Sequence, residues 1–254
     1  MVDEPEPYAV GAWRQADGSV VWRVWAPTSQ TVSLVTWPSV VPTVTEMRPE
    51  GEGYFTHQEA EVAEGLRYAF RLADGGEYPD PASRWQPDGI QRPSAVFSPE
   101  TYIWSDAPWR GVTREDLVIY ELHVGTFTPE GTFKALLPRL AELAALGITA
   151  LEIMPVAQFP GDRDWGYAGV HPFAVQNSFG GPRALQRLVD AAHQHGLAVL
   201  LDVVYNHVGP EGNYLSQFGP YFTERYGTPW GSAINFDGPD SDPVRQFVID
   251  NACY

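Results

Sequence analysis

Five apolar residues in a row, Leu197-Ala-Val-Leu-Leu201, run without polar alternation into Asp202-Val-Val-Tyr-Asn-His207. A run of this kind is expected of a parallel strand covered on both faces. In barrels and open α/β sheets, ligands bind where such strands end. The abrupt change at Asp202 therefore predicts a buried parallel strand over 197–204 and, at its tip, a candidate site containing His207. The following Gly209-Pro-Glu-Gly-Asn-Tyr-Leu215 opens a long loop.

The residues before it follow the same grammar. Leu117-Val-Ile-Tyr-Glu-Leu122 and Ile148–Ile153 read as strands. Residues 132–146 carry Phe133, Leu136, Leu137, Leu140, Leu143 and Ala144 at helical spacing, with Gly147 as the stop signal. Pro138 falls inside that pattern, so the helix either kinks there or begins its regular part there. Residues 182–195 repeat the pattern through Leu185, Leu188, Val189 and Ala192, and Gly196 ends it. The order β-α-β-α-β implies a parallel sheet with right-handed crossovers. Asp242-Pro243 reads as the start of a further helix, with Asp242 as N-cap, and the chain ends inside it.

Residues 8–105 obey a different rule. Val20–Trp25, Thr31–Thr36 and Arg67–Leu72 alternate with period two, Ala26-Pro27 interrupts a strand, and Asp74-Gly-Gly76 reads as a hairpin turn. Short alternating strands of this kind predict an immunoglobulin-like β-sandwich. The proline-dense stretch from Tyr78 to Pro108 marks the connection between the two halves.

Composition excludes several partners. A formal charge of −16 and a pI near 4.6 argue against nucleic acid and anionic membrane, both of which need basic patches. With Cys253 as the only cysteine, no intrachain disulfide can form and the cytoplasm is the default location. No apolar run has the length of a membrane span or of a signal-peptide core. Nine tryptophans and twelve tyrosines supply flat faces of the kind that stack on sugars, although most such rings build cores.

Four segments carry a more specific signal. Tyr120-Glu-Leu-His-Val-Gly-Thr-Phe127, Asp164-Trp-Gly-Tyr-Ala-Gly-Val170, Phe179-Gly-Gly-Pro182 and Asp202–His207, in this order and spacing, resemble the α-amylase superfamily of glycoside hydrolases and transglycosylases. The resemblance implies a multi-domain chain. An immunoglobulin-like sandwich over 1–105 would be followed, over 106–254, by the first three β/α units of a (β/α)₈ TIM barrel, incomplete at the C-terminal end. Trp25-Ala-Pro27 resembles a segment in the sandwich of family members that act on glucan branches or on trehalose-tipped chains. Within the family, Val204–Leu215 and Thr228–Asp237 are similar to members that release trehalose from maltooligosyltrehalose. Branching enzymes have Pro-Ala-His where this chain has Tyr205-Asn-His207. A branching or debranching enzyme, or a glucan-binding piece without activity, are the alternatives.

The chemistry implied is retaining hydrolysis of an α-1,4 bond by two carboxyl groups about 5 Å apart. In the family these stand on the fourth and fifth barrel strands, so they are expected after Tyr254, and the 254 residues by themselves are expected to be inactive. Asp202 and Glu211 are not that pair. Asp202 matches an aspartate that holds strand-end geometry, and Glu211 sits in a turn suited to solvent. His207 matches the histidine that hydrogen-bonds the sugar at the cleavage subsite, and Tyr167 the aromatic platform under that sugar. Trp165 and, more weakly, His123 belong to the same wall. Asn206 matches a Ca²⁺ position of many members, but the remaining oxygen ligands of such an ion are not identifiable, so no metal and no cofactor are expected. His193 and His195 are expected on a solvated face, and His57 has no evident partner. The expected ligand is an α-glucan oligosaccharide. Tyr214, Phe218, Tyr221, Phe222, Tyr226 and Trp230, in the loop from Gly209 to Asp237, either line its leaving-group side or only pack the loop against the barrel.

Overall fold

The structure is a computed structural model that describes residues 10–228 and 231–254. In the first half, β1 (Gly11–Arg14), β2 (Val20–Trp25), β3 (Val32–Trp37), β4 (Thr43–Glu46), β5 (Arg48–Gly51), β6 (Tyr54–Glu59), β7 (Arg67–Leu72), β8 (Glu77–Tyr78) and β9 (Ser94–Ala95) form two antiparallel sheets. Their orders are β1-β2-β6-β5 and β4-β3-β7-β8, with β9 also on β7. Alternation decides what faces inward. Val20, Trp22 and Val24 of β2 meet Leu34 and Phe70 of the other sheet in one buried cluster, and Trp22 lies edge-on to Tyr68 at 6.1 Å. The Asp74–Gly76 turn joins β7 to β8, with Gly75 N donating to Leu72 O at 2.9 Å.

In the second half come β10 (Ile119–Leu122), the short helices α1 (Val124–Phe127), α2 (Phe133–Leu136) and α3 (Leu140–Ala145), and β11 (Ala150–Ile153). After them lie β12 (Ala157–Gln158), β13 (His171–Val175), α4 (Gly181–Gln194) and β14 (Ala198–Leu201). β10, β11 and β14 form a parallel sheet in that order. The helical pattern over 132–146 resolves into α2 and α3 joined by a 3-10 turn, Leu137–Arg139, around Pro138. Proline lacks the N–H that an unbroken α-helix needs at that point. Gly147, at φ 94°, ends α3 as expected, with Ile148 N donating to Leu143 O at 3.2 Å. Gly196, at φ 75°, ends α4 in the same way, and Leu197 N reaches Ala192 O at 2.9 Å.

Two expectations are corrected. The strand read over 197–204 spans only Ala198–Leu201 and is not covered on both faces: Leu200 and Leu201 are 40% and 45% exposed. β14 is an edge of the three-stranded sheet, and among the described residues no strand pairs with its outer side. The last helix, α6 (Ser241–Cys253), begins earlier than predicted, with Asp240 as its N-cap and Asp242 in the first turn. Pro243 still lies in that first turn, where a missing N–H costs nothing.

Between β14 and α6 lie α5 (Leu215–Phe218) and the hairpin of β15 (Phe222–Thr228) and β16 (Gly231–Ile234). The root of this loop rests on the sandwich, not on the parallel sheet. Tyr221 meets Trp25 at 5.2 Å, Tyr214 meets Tyr78 at 5.4 Å, Phe218 meets Phe70 at 6.3 Å, and Thr28 Oγ1 donates to Phe218 O at 3.0 Å. These three aromatics are packing residues. Phe222 and Tyr226 lie on the hairpin, and Trp230 lies outside the described residues. The connecting segment is strapped to α4: Asp190 accepts from Tyr102 Oη and Ser105 N, and His193 pairs with Asp106 at 2.7 Å under the stacked ring of Trp109. His193 is therefore half-buried and paired where a solvated face was expected, while His195 is exposed.

Candidate functional site

The register of the parallel sheet brings three strand ends level. Leu122 pairs with Ile153 and Ile153 with Leu201, and the next residues continue the ladder through Met154 N to Leu122 O and Asp202 N to Ile153 O. His123 and Asp202 thus leave the sheet at the same end, two strands apart.

The segment 164–170 folds over this end. Asp164 Oδ1 accepts from Gly166 N at 2.7 Å and from Ala168 N at 3.2 Å, closing a tight turn through its own side chain. Gly166 is required there. Its φ is +95°, and a Cβ would stand 2.1 Å from Pro155 O. The turn delivers Tyr167, whose hydroxyl donates to Asp202 Oδ2 at 2.7 Å. That hydrogen bond, assisted by desolvation and by the negative field of Asp202, Glu121 and Glu152, pushes the phenol up to about 12. The hydroxyl therefore stays protonated at neutral pH, able to donate to Asp202 Oδ2.

His207 is buried and held from two sides. Its Nε2 donates to the main-chain carbonyl of Tyr167 at 2.8 Å, and its Nδ1 lies 2.9 Å from Asn206 Oδ1. Gly209 then closes on the same segment, its N–H reaching Gly169 O at 2.9 Å, where a Cβ would lie 2.3 Å from Ala168 O. Tyr167, Asp202 and His207 are thus one bonded unit. Asp202 and His207 line a cavity of about 530 Å³, together with Gly166, Gly169 and Pro155. Tyr167 does not line that cavity: its side chain turns outward and is 42% exposed.

Trp165 is 62% exposed, and its ring lies 5.2 Å from that of His123. His123 is held by Thr126 Oγ1 at 3.1 Å through Nδ1 and by the edge of Phe179, and its Nε2 is buried with no hydrogen-bond partner among the described residues. Asn206 and Glu211 are exposed. Among the described residues no group of three or more His, Cys, Asp or Glu is placed to hold a metal ion. Sequence reasoning passed over Asp164, although an Asp two residues before a glycine is a legible turn signal. It also passed over Glu121 and Glu152, whose pairing across β10 and β11 follows from register and so is visible only after folding.

Known proteins with the same pattern can now be compared. The family model for the alpha amylase catalytic domain matches residues 78–226. A malto-oligosyltrehalose trehalohydrolase of Saccharolobus solfataricus is 52% identical over 238 residues, which cover 94% of this chain and 42% of that protein. A Salmonella typhimurium protein described as an alpha amylase has a solved structure that superposes with a TM-score of 0.92 at 44% identity, over 98% of this chain and 41% of that one. A pullulanase from Anoxybacillus, solved in complex with maltotetraose, superposes with a TM-score of 0.83 at 26% identity, over 98% of this chain and 43% of its own. The chain thus spans about two fifths of the length of each of these proteins.

Proposed function

Because the chain belongs to the α-amylase family, we propose that it forms the front part of an enzyme that hydrolyses the α-1,4 bond next to the terminal trehalose of maltooligosyltrehalose and releases trehalose. The observation that carries this reading is the bonded unit of Tyr167, Asp202 and His207, found in a chain 52% identical to a trehalohydrolase across 94% of its length.

In this reading the two antiparallel sheets, within 1–105, are an immunoglobulin-like sandwich, and 106–254 supply the first three β/α units of a (β/α)₈ barrel. Tyr167 offers its outward ring as the platform for the sugar at the cleavage subsite, with Trp165 and His123 beside it. Asp202 and Asn206 are supports: Asp202 anchors the platform through the tyrosine hydroxyl, and Asn206 occupies Nδ1 of His207. No carboxylate of residues 1–254 is assigned a covalent or proton-transfer role. The nucleophile and the acid/base of a retaining double displacement are expected in the part of the relatives' length that this chain does not span. No helix of the described residues is long and apolar enough to cross a membrane. The single cysteine is what supports a cytoplasmic location.

The test uses the sequence extended to the length of its trehalohydrolase relatives. kcat/KM is compared on maltooligosyltrehalose and on a maltooligosaccharide of equal length, and the first is expected to be much the larger. Equal values remove the trehalohydrolase reading. Debranching of pullulan without trehalose release establishes the alternative that the pullulanase resemblance represents.

A further inference from the structure

Part of the segment connecting the two halves reaches into the support of the strand-tip site. Residues 85–95 leave the sandwich and return to it: Ala95 N donates to Trp85 O at 2.9 Å, and β9, at the end of the segment, pairs with β7. Ends this close make a compact Ω-shaped loop. Its base is fixed from the sandwich side. Arg67 of β7 donates to Asp88 Oδ2 at 2.7 Å, and Gln86 is fully buried and hydrogen-bonded to Ser94 Oγ.

At the far end of the loop stands Ile90, flanked by Asp88-Gly89 and Gln91-Arg92, yet only 7% exposed. An apolar side chain at the tip of a polar loop is buried only where something outside the loop receives it. Here the receiver is Gly212, where a Cβ would stand 2.5 Å from Ile90 Cδ1 and 3.0 Å from its Cγ1. The main chain of Ile90 holds a different segment. Its carbonyl can only accept, so the buried His171 donates to it from Nε2 at 3.0 Å. Asn177, just beyond β13, adds a second bond to the loop through Pro87 O at 3.1 Å. His171 lies four residues after Tyr167, and Gly212 five residues after His207. These two segments already meet once, where Gly209 N reaches Gly169 O. Ile90 touches both.

We propose that Ile90 is a positioning residue of the strand-tip site, a wedge delivered by the sandwich that sets how far apart the Tyr167 turn and the His207 loop stand. Its side chain meets one segment and its carbonyl the other, so neither shifts without moving Ile90 or breaking a buried hydrogen bond. The sandwich is then part of the frame of the site. That this geometry serves hydrolysis rests on the function proposed above. The wedge itself rests on packing, and hydrogen exchange reads it with no substrate present.

The test uses the sequence extended to the length of its relatives. Ile90→Ala should quicken amide exchange about tenfold in peptides covering 163–170 and 205–213, and leave 150–153 and the β2–β6 pair as they are. With maltooligosyltrehalose, kcat should fall about tenfold and by a larger factor than KM rises, because the contacts displaced lie at the sugar being cleaved. Ile90→Leu, which conserves volume, should restore most of both readouts. Gly212→Ala approaches the same contact from the other loop and serves if Ile90→Ala does not fold. It should carry faster exchange through Ile90 and His171 into 163–170. Exchange unchanged at either segment, or raised equally throughout the sandwich, overturns the wedge, as does an unchanged kcat, an Ile90→Leu protein no better than Ile90→Ala, or a Gly212→Ala effect confined to 205–213. Faster exchange at both segments in a protein that cleaves pullulan without releasing trehalose supports the wedge and removes only the trehalohydrolase reading.

Discussion

At the scale of single residues, two buried groups oppose one another as pH changes. Burial pushes the His171 imidazole down to about 4 from its ordinary 6.5, against the pull of its hydrogen bond to Ile90 O. Burial also pushes the Asp80 carboxyl up to about 6 from 3.8, against hydrogen bonds from Tyr68 and Ala82 and the charge of Arg84. For His171 the folded value lies below the unfolded one, so its contribution is complete above pH 6.5 and is lost as pH falls towards 4. For Asp80 the folded value lies above, so its contribution is complete below pH 3.8 and is lost as pH rises through 6. Each is worth about 3 kcal/mol over its window, and the two windows overlap. The protein's stability should therefore change little between pH 6.5 and 4, while Asp80→Asn should become steeply less stable on acidification and His171→Asn more stable. Denaturant midpoints across that range decide it, and parallel slopes in all three proteins would show that neither group titrates as described. Glycines offer a second test. Gly89 and Gly166 share a φ of +95°, but a Cβ at Gly89 meets nothing within 4 Å, whereas at Gly166 it meets Pro155 O. Gly89→Ala should cost about 1 kcal/mol of backbone strain, and Gly166→Ala at least about 2 kcal/mol more, as read from urea midpoints.

At the scale of elements, the loop between β14 and α6 is organised from its root. Asn235 is buried, donates to Pro220 O and Pro239 O, and accepts from Gly238 N, so it ties the two ends of the excursion together. Phe218 and Tyr221 seat that root in the sandwich core. Phe218→Ala should cost about 3 to 5 kcal/mol, the usual result of emptying a buried phenylalanine site. Tyr226→Ala, on an exposed strand where the ring meets its neighbour Arg225 and the hydroxyl bonds to Asp237, should cost less than about 1 kcal/mol. Similar losses for both would mean that the hairpin, not its root, carries the packing. The amino-acid pattern identified these aromatics and left two places open for them, the leaving-group side of the glucan or the barrel; the sandwich that Phe218 and Tyr221 enter was neither. Nothing in a one-dimensional pattern says which of two apolar surfaces an aromatic will choose.

At the scale of the whole molecule, one apolar cluster crosses from the first half to the second. Phe173, Val244 and Phe247 share it with Trp22 and Phe70, so the sandwich and the following elements are stabilised together. The parallel sheet is less complete. β10 and β14 are both edges, and Leu200, Leu201 and Val203 present apolar surface outward, the last being 53% exposed. Open strand edges beside exposed apolar side chains favour self-association. The 254-residue chain, prepared alone, should sediment as concentration-dependent oligomers, and a single monomeric species over a hundredfold range of concentration, about micromolar to about 0.1 mM, would count against this.

The residues alone determined the type of the elements they marked, among them β2, β3, β7, β10, β11 and α4, and the stops at Gly147 and Gly196, because hydrophobic period and glycine conformation are local properties; β13 and the β15–β16 hairpin were not among them. They also marked Tyr167, Asp202 and His207 through short motifs whose residue types can be read one segment at a time. Tertiary structure decided the rest. The bond from Tyr167 to Asp202 joins residues 35 positions apart, the outward turn of the tyrosine ring follows from that bond, and the exposure of Leu200 and Leu201 depends on what stands beside β14. Burial and pairing are properties of neighbours in space, and a residue's sequence position does not state who those neighbours are.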